Sequence, residues 1–291
     1  MFGLFTPDPV ITIKIDENPK LKDYATNILK TSNPVYTAKD KVTGKLEILP
    51  PPGKFVSHKG IILLLVGEYR RPDGETLSRF FVKRQELVPP GDLKTPIKND
   101  FVFDAVDFPC STYKGTAVNA LYYIQVLVTH RMIDQKVEQP FDVVKFDDRV
   151  KEKSIHNEVG IRNILHIEFV FPKSQYDIKE AVVGAVYFIL IKLRIVHMSL
   201  TFYRVENYSS DEAYIKKKTE LKTIEIMDGA PCRGDHIPIR FFLGDLDLYP
   251  YESFKASKLV VEHYLRAILI DENGKKYYKR LKVTFDRLRP E

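Results

Sequence analysis

The sequence contains no tryptophan, only two cysteines and no long apolar run. The longest such run, 181–191, is bounded by charged residues and is shorter than the roughly 20 residues that a transmembrane helix needs. Cys110 and Cys232 lie too far apart in sequence to form a C-x-x-C pair. The opening residues MFGLFTPDPV lack the basic start of a secretory signal. We therefore expect a cytosolic protein with reduced thiols.

Motifs that carry chemistry are equally scarce. The sequence contains no G-x-S-x-G elbow, no P-loop and no H-E-x-x-H motif. Its seven histidines are scattered without the spacing of metal ligands. We therefore expect a protein that binds partners and needs neither a metal nor another cofactor. A metal or cofactor bound to the purified protein would favour the alternative, an enzyme with an unfamiliar site.

Positive charge is in slight excess, with 45 basic residues against 39 acidic ones and a formal net charge of +6. A field of this sign attracts nucleic acids, anionic membranes and acidic partners alike. The basic residues are interspersed with acidic ones, however, and the densest run is Lys216–Lys218. We interpret them as a solvated surface with at most a weak membrane contribution, and we expect no nucleic-acid ligand.

Alternating apolar residues predict β-strands along the whole chain. Apolar and polar residues alternate over 11–15, 165–171, 198–203 and 237–243, which is the period of a half-buried strand. Near the C-terminus, the segments 259–270 and 275–285 flank Asp271–Gly274, in which Asn273-Gly274 is expected to supply the positive φ angles of a tight hairpin turn. Many short strands of this kind predict an all-β fold made of antiparallel, immunoglobulin-like sandwiches.

Features of the first half of the chain recur in the second half at a nearly constant offset. Val42–Leu46 is matched by Val182–Val186, 140 positions later, and Tyr123–Leu127 is matched by Tyr264–Ile268, 141 positions later. The alternation of Phe101 and Phe103 recurs 140 positions later as well. Agreement among the offsets predicts two similar sandwiches in tandem.

The boundary between these sandwiches is expected where the apolar pattern lapses. The sequence KFDDRVKEKSIHN, from Lys145 to Asn157, is rich in charge and poor in apolar periodicity. We therefore predict an N-terminal domain over 1–147, a linker over 148–157 and a C-terminal domain over 158–291.

One segment, TIEIMDGAPCRGDHIPIRFFL at 223–243, places an apolar pair, Ile226 and Met227, beside a turn. Together with QYDIKEAVVGAVYFILIKLRIVHMSL at 175–200 and NEVGIRNILHIEF at 157–169, it resembles the vacuolar protein sorting 26 family, the arrestin-like subunit of retromer. The likeness is dense over 157–243 and thin in the first 44 residues.

The resemblance implies two tandem arrestin-like β-sandwiches without enzymatic activity. Members dock on the vacuolar protein sorting 35 α-solenoid in a coat that retrieves transmembrane cargo from endosomes. The protein is thus expected in the cytoplasm, peripherally on the cytosolic face of endosomes through its partners. In the family the loop that carries the apolar pair contacts the solenoid, a role that falls here to Ile226, Met227, Asp228 and Gly229. The alternative is that the pair packs inside its own domain.

The family also helps to capture sorting signals of the type hydrophobic-x-Leu or hydrophobic-x-Met. Such a signal adds a strand to a sheet edge, while a PX-domain sorting nexin completes the pocket. The valine of the family's E-V-G-I motif matches Val159, and a pocket phenylalanine matches Tyr278. Tyr278 departs from the family, because a hydroxyl narrows an apolar pocket or needs a hydrogen-bond partner. Core packing of Tyr278 is an equally open interpretation.

A second functional interpretation is compatible with the same sequence features. An arrestin-like adaptor in another trafficking complex, such as the related retriever, has the same fold and the same lack of catalytic motifs. The retained I-M-D-G-A-P sequence favours retromer. The identity of the solenoid that co-purifies with the protein distinguishes the two.

Overall fold

The computed structural model describes residues 8–104, 106–147, 153–244, 246, 248–249 and 258–289. The chain divides into two compact units, Met1–Lys145 and Phe146–Glu291, here called unit 1 and unit 2. Both are built almost entirely of strands, which confirms the predicted all-β fold. Of the predicted linker, residues 148–152 lie outside the described part, and Ile155 already begins a strand of unit 2.

Unit 1 contains a three-stranded sheet in the order β1-β3-β8 and a larger sheet in the order β2-β11-β10-β5-β6. Strand β9 pairs with β10, and β4 pairs with β7. The strands are β1 (Val10–Ile15), β2 (Val35–Thr37), β3 (Val42–Leu49), β4 (Val56–His58), β5 (Ile61–Arg70), β6 (Thr76–Val88), β7 (Gly91–Leu93), β8 (Ile97–Phe103), β9 (Tyr113–Lys114), β10 (Asn119–Val128) and β11 (Gln135–Val144).

A short helical segment between β1 and β2 was not predicted from the sequence. It consists of a 3₁₀ turn (Pro19–Leu21), an α-helical turn (Lys22–Tyr24) and a π turn (Ala25–Leu29). Asn18 caps it by accepting a hydrogen bond from the Lys20 amide at 3.1 Å. Among the described residues, no helix has the length and apolar character needed to cross a membrane.

Unit 2 contains a four-stranded sheet in the order β12-β13-β15-β18 and a five-stranded sheet in the order β14-β20-β19-β16-β17. Apolar residues of both sheets form one core cluster, so the two sheets face each other as a sandwich. The strands are β12 (Ile155–Ile161), β13 (Leu165–Phe171), β14 (Gln175–Asp177), β15 (Val182–Ile191), β16 (Ile195–Ser209), β17 (Tyr214–Asp228), β18 (His236–Phe241), β19 (Leu259–Asp271) and β20 (Lys276–Asp286).

The predicted internal repeat is present in the strand order. The sheet β2-β11-β10-β5-β6 of unit 1 corresponds, strand for strand, to β14-β20-β19-β16-β17 of unit 2. The first strand of each pairs in parallel with the last strand of its unit, an exception to the predicted antiparallel pattern. These strands lie far apart in sequence, so no hairpin fixes their direction.

The alternating burial that the sequence predicts is confirmed in β1, β13 and β18. In β13, for example, Leu165, Ile167, Phe169 and Phe171 are buried while the residues between them are partly exposed. Strand β16 differs, because Thr201 is buried as well. It lies between β17 and β19 in its sheet, and the Thr201 hydroxyl accepts a hydrogen bond from the Thr223 hydroxyl of β17 at 3.0 Å.

The predicted C-terminal hairpin is confirmed, but Asn273 does not have the positive φ that was expected of it. Strands β19 and β20 pair in antiparallel fashion on either side of Asp271–Gly274. Only Gly274 has a positive φ, of 79°, and its amide donates to the Asp271 carbonyl at 2.9 Å. The Asp271 carboxylate also accepts from the Asn273 and Lys275 amides, both at 2.9 Å. A type I turn followed by a left-handed glycine explains this geometry.

Candidate partner-binding edges of unit 2

The predicted solenoid-binding residues lie where the chain passes from one sheet of unit 2 to the other. Strand β17 is the edge of the five-stranded sheet, and β18 is the edge of the four-stranded sheet. The two predicted strands are therefore present, but they belong to different sheets and do not pair with each other. We call the connecting segment, residues 229–235, the crossover loop.

A β-bulge places Ile226 and Met227 on the same side of β17. The register pairs Met198 with Met227 and Ser199 with Glu225, so Ile226 has no partner on β16. An extra residue of this kind breaks the strict alternation of a strand. Both side chains consequently pack against the core cluster of unit 2, and both stay partly exposed.

The other two predicted residues are exposed: Asp228 ends β17, and Gly229 begins the crossover loop. Gly229 has a φ of 115°, a conformation that L side chains rarely adopt. Its amide donates to the Val196 carbonyl at 2.7 Å and fixes the point at which the chain leaves β17. A glycine is thus required at this position for a conformational reason.

The far end of the crossover loop is anchored to β15. The Gly234 amide donates to the Phe188 carbonyl at 2.7 Å, and the Phe188 amide donates to the Asp235 carbonyl at 2.9 Å. Within the loop, the Cys232 amide donates to the Asp235 carboxylate at 2.6 Å. Hydrogen bonds at both ends hold the loop in one conformation, so little backbone freedom remains to be lost when a partner binds.

Aromatic side chains continue the surface beside this loop. The ring of Tyr187, on β15, stacks on His236, with centroids 5.8 Å apart and planes inclined by 20°. Phe242, just beyond β18, is 65% exposed. The neighbourhood of these residues could not be read from the sequence, because it depends on pairing between distant strands.

The predicted cargo residues lie at the opposite edge of unit 2. Val159 is on β12, which pairs only with β13 among the described strands, and its side chain packs against the core cluster. Tyr278 is on β20 and is 59% exposed, whereas Tyr277 packs toward the core. Val159 and Tyr278 therefore point to different sides of their sheets. The exposure of Tyr278 argues against core packing of this ring.

The interior of unit 2 contains a buried histidine with a strongly shifted pKa. His263 is 1% exposed and stacks on Phe202, with ring planes inclined by 9°. Burial, followed by the nearby positive charge of Arg204, lowers the pKa of His263 to about 3. It is thus neutral at physiological pH and serves the packing of the core.

The described residues contain no candidate metal centre. Within them, no group of three or more His, Cys, Asp or Glu side chains is placed to hold a metal ion. Cys110 is buried and Cys232 is exposed, and neither forms a disulfide bond with a described residue. The sheet edges of unit 2 and the anchored crossover loop are features that suit the binding of other proteins.

Comparison with known proteins identifies the family. The family model described as vacuolar protein sorting-associated protein 26 matches residues 6–274. The chain belongs to this family. It is 34% identical to vacuolar protein sorting-associated protein 26 of Caenorhabditis elegans over 256 residues, which cover 87% of this chain and 72% of that protein.

Relatives from other kingdoms match over similar lengths. The chain is 33% identical to vacuolar protein sorting-associated protein 26A of Arabidopsis thaliana over 297 residues, covering 100% of this chain and 98% of the relative. It is 31% identical to the family member of Schizosaccharomyces pombe over 264 residues, covering 90% and 89%. Family membership agrees with the arrestin-like β-sandwich fold predicted from the sequence and with the all-β structure.

Proposed function

We propose that this protein is the noncatalytic, arrestin-like subunit of a retromer coat, and that its crossover loop binds the vacuolar protein sorting 35 α-solenoid. Membership of the vacuolar protein sorting-associated protein 26 family supports a role in vacuolar protein sorting. The observation that carries the proposal is the I-M-D-G-A-P sequence, which lies at an exposed crossing between two sheets. The protein acts at the cytosolic face of endosomes, held there by its partners.

The geometry of the loop supports this assignment. Ile226 and Met227 keep part of their apolar surface exposed at the sheet edge, beside the fixed backbone of Gly229. Covering the remaining surface contributes about 1 kcal/mol or more for each side chain. A loop that is already ordered loses little entropy on binding, so most of this free energy appears as affinity.

Cargo recognition is assigned to the other edge of unit 2. Strand β12 exposes one row of backbone donors and acceptors, to which an extended sorting signal adds as a further strand. Val159 lies within this edge strand, and Tyr278 lies on β20, a strand that contacts β12. A PX-domain sorting nexin completes the site and supplies contacts that this chain lacks.

The decisive experiment is isothermal titration of the full chain with the α-solenoid subunit from the same organism. Wild type is compared with the double variant Ile226→Asp, Met227→Asp and with the single variant Asp228→Lys. The single variant changes an exposed residue and leaves the core packing intact. We expect tight binding by wild type, loss of binding in the double variant and weaker binding in the single variant.

The control is Asp211→Lys, which makes the same charge change at an exposed hairpin between β16 and β17. If all variants bind as tightly as wild type, family membership stands, but the solenoid interface lies outside the crossover loop. If folded wild type binds the solenoid of the related retriever complex instead, the protein is an adaptor of that second trafficking complex.

A further inference from the structure

The outward face of the five-stranded sheet of unit 2 carries cations laid over two stacked tyrosines. The rings of Tyr203 and Tyr264 have centroids 5.4 Å apart and planes inclined by 21°. The Lys218 ammonium lies 4.1 Å from the centroid of Tyr203, and the Arg280 guanidinium lies 4.7 Å from that of Tyr264. Arg266 approaches Tyr203 at 5.8 Å. Cation–π contacts with the two tyrosine rings thus hold several cations close together.

Carboxylates neutralise only part of this cluster. Arg266 Nη2 lies 2.7 Å from Glu220 Oε1, and Lys282 Nζ lies 2.6 Å from Glu262 Oε1. Arg280 differs, because no carboxylate of the described residues lies within 4 Å of its guanidinium. Its guanidinium packs against the Tyr264 ring and the residue is exposed, so its N–H donors are available to a ligand.

Like charges face each other within the cluster. The register places Arg266 directly opposite Arg280 on neighbouring strands, an arrangement of like charges that destabilises a sheet. Burial, followed by the positive charges of Arg266 and Arg280, lowers the pKa of Lys218, although Glu220 acts in the opposite direction. With Lys282 included, four cations are balanced by two carboxylates.

We propose that this cluster binds a phosphorylated side chain of a partner polypeptide. A phosphate monoester carries a charge of about −1.5 to −2 at neutral pH, close to the formal excess of two positive charges. Arginine recognises phosphate oxygens with two parallel hydrogen bonds, a geometry that Arg280 provides and that Arg266 completes from the opposite strand. Lys218 adds a third cation from β17.

The shape of the cluster favours a peptide phosphate over a membrane surface. Three of its cations, Lys218, Arg266 and Arg280, lie against the tyrosine rings, and the Arg266 side chain is only 24% exposed, whereas Lys218 and Arg280 are exposed. Lysines that attract a bilayer act from the surface and at longer range. Glu220 and Glu262 flank the cluster and would repel the neighbouring headgroups of an anionic membrane. A single phosphate on an extended segment avoids this repulsion.

The test uses the full chain and a defined probe. The peptide acetyl-Ala-Ala-phosphoserine-Ala-Ala-amide is titrated against wild type at constant ionic strength, and its phosphorus resonance is followed by NMR. The same peptide without phosphate serves as the ligand control. We expect binding of the phosphopeptide alone, weakened about tenfold or more by Arg280→Gln and less by Arg280→Lys, which keeps the charge but loses the two-point contact.

The matched control is Lys276→Gln, which removes an exposed cation from the same face of β20, outside the cluster. Circular dichroism confirms that each variant is folded, and Lys218→Gln replaces Arg280→Gln if that variant is not. An equal loss of affinity in Lys276→Gln would overturn the proposal, since the binding would then be nonspecific. Absence of binding by wild type would overturn it too. Binding only to phosphatidylcholine vesicles containing phosphatidic acid, weakened by Arg280→Gln, would assign the cluster to a lipid headgroup instead.

Discussion

Met227, in the predicted solenoid-binding sequence, lies directly opposite the buried Met198 across the β16–β17 ladder. The residue before it, Ile226, is the extra residue of a β-bulge. Both apolar side chains therefore face the core cluster and the edge of the sheet at once. A partner that binds here covers side chains whose positions are already fixed by packing, so the same residues contribute to folding and to recognition.

This double role predicts that Met227→Asp lowers the stability of the protein as well as its affinity for the solenoid. We expect a loss of about 1–3 kcal/mol in the free energy of unfolding, because a charge replaces a side chain that packs on the core. Asp228→Lys changes only an exposed residue and should shift the free energy by less than about 0.5 kcal/mol. Urea denaturation monitored by circular dichroism measures both values. Equal stability of the two variants would show that Met227 does not contribute to the core.

Two glycines at equivalent positions of the repeat should be intolerant of any side chain. A Cβ atom on Gly44 would lie 2.5 Å from Cζ of Phe101, and one on Gly184 would lie 2.7 Å from the carbonyl oxygen of Val170. Such overpacking costs about 1–3 kcal/mol. We expect Gly44→Ala and Gly184→Ala to lower the thermal midpoint in differential scanning calorimetry.

Gly244→Ala is the matched control for these substitutions. Apart from its chain neighbours, no atom of the described residues lies within 4 Å of the Cβ position at Gly244, and the backbone there is not left-handed. This variant should unfold at the wild-type temperature. A similar midpoint for all three alanine variants would mean that the Phe101 ring and the Val170 backbone move aside without cost.

These glycines show what the sequence could and could not predict. The repeat offset of 140 was visible because Gly44 and Gly184 recur in it, and the requirement for glycine is local to each pair of neighbouring strands. The alternation of β13 was also visible, since burial on one face leaves a period of two. The bulge at Ile226 was not visible in the sequence, because it depends on how β17 pairs with β16. The anchoring of the crossover loop to Val196 and Phe188 likewise arises from long-range pairing that leaves no local pattern.

Because His263 is buried in its neutral form, we expect the folded protein to lose stability in mild acid. The pKa of His263 is about 3 in the folded protein, whereas an unperturbed histidine has a pKa of 6.5. Below pH 6.5 the unfolded chain therefore binds a proton that the folded protein excludes. Its contribution is complete above pH 6.5 and falls as the pH drops toward 3. The expected slope is about 1.4 kcal/mol per pH unit, or about 2 kcal/mol between pH 6.5 and 5.

Urea denaturation of wild type and His263→Phe at several pH values checks this prediction. The phenylalanine ring keeps the packing against Phe202 and Phe285 but cannot titrate. The variant should therefore lose less stability than wild type between pH 7 and pH 5, while the other histidines affect both proteins equally. Parallel curves for the two proteins would show that His263 is not the group responsible.

The substitution Tyr278→Phe is expected to change cargo preference without changing the stability of the protein. Its ring is 59% exposed, so Tyr278→Phe should alter the free energy of unfolding by less than about 0.5 kcal/mol. If the ring lines the cargo site, covering its hydroxyl without a partner costs about 1 kcal/mol or more, and the phenylalanine variant should bind a hydrophobic-x-Leu peptide about fivefold more tightly in the presence of the sorting nexin. Fluorescence polarisation measures this affinity.

Tyr214→Phe is the control, since Tyr214 is a similarly exposed tyrosine of unit 2. An equal affinity in wild type and Tyr278→Phe would place this residue outside the cargo site.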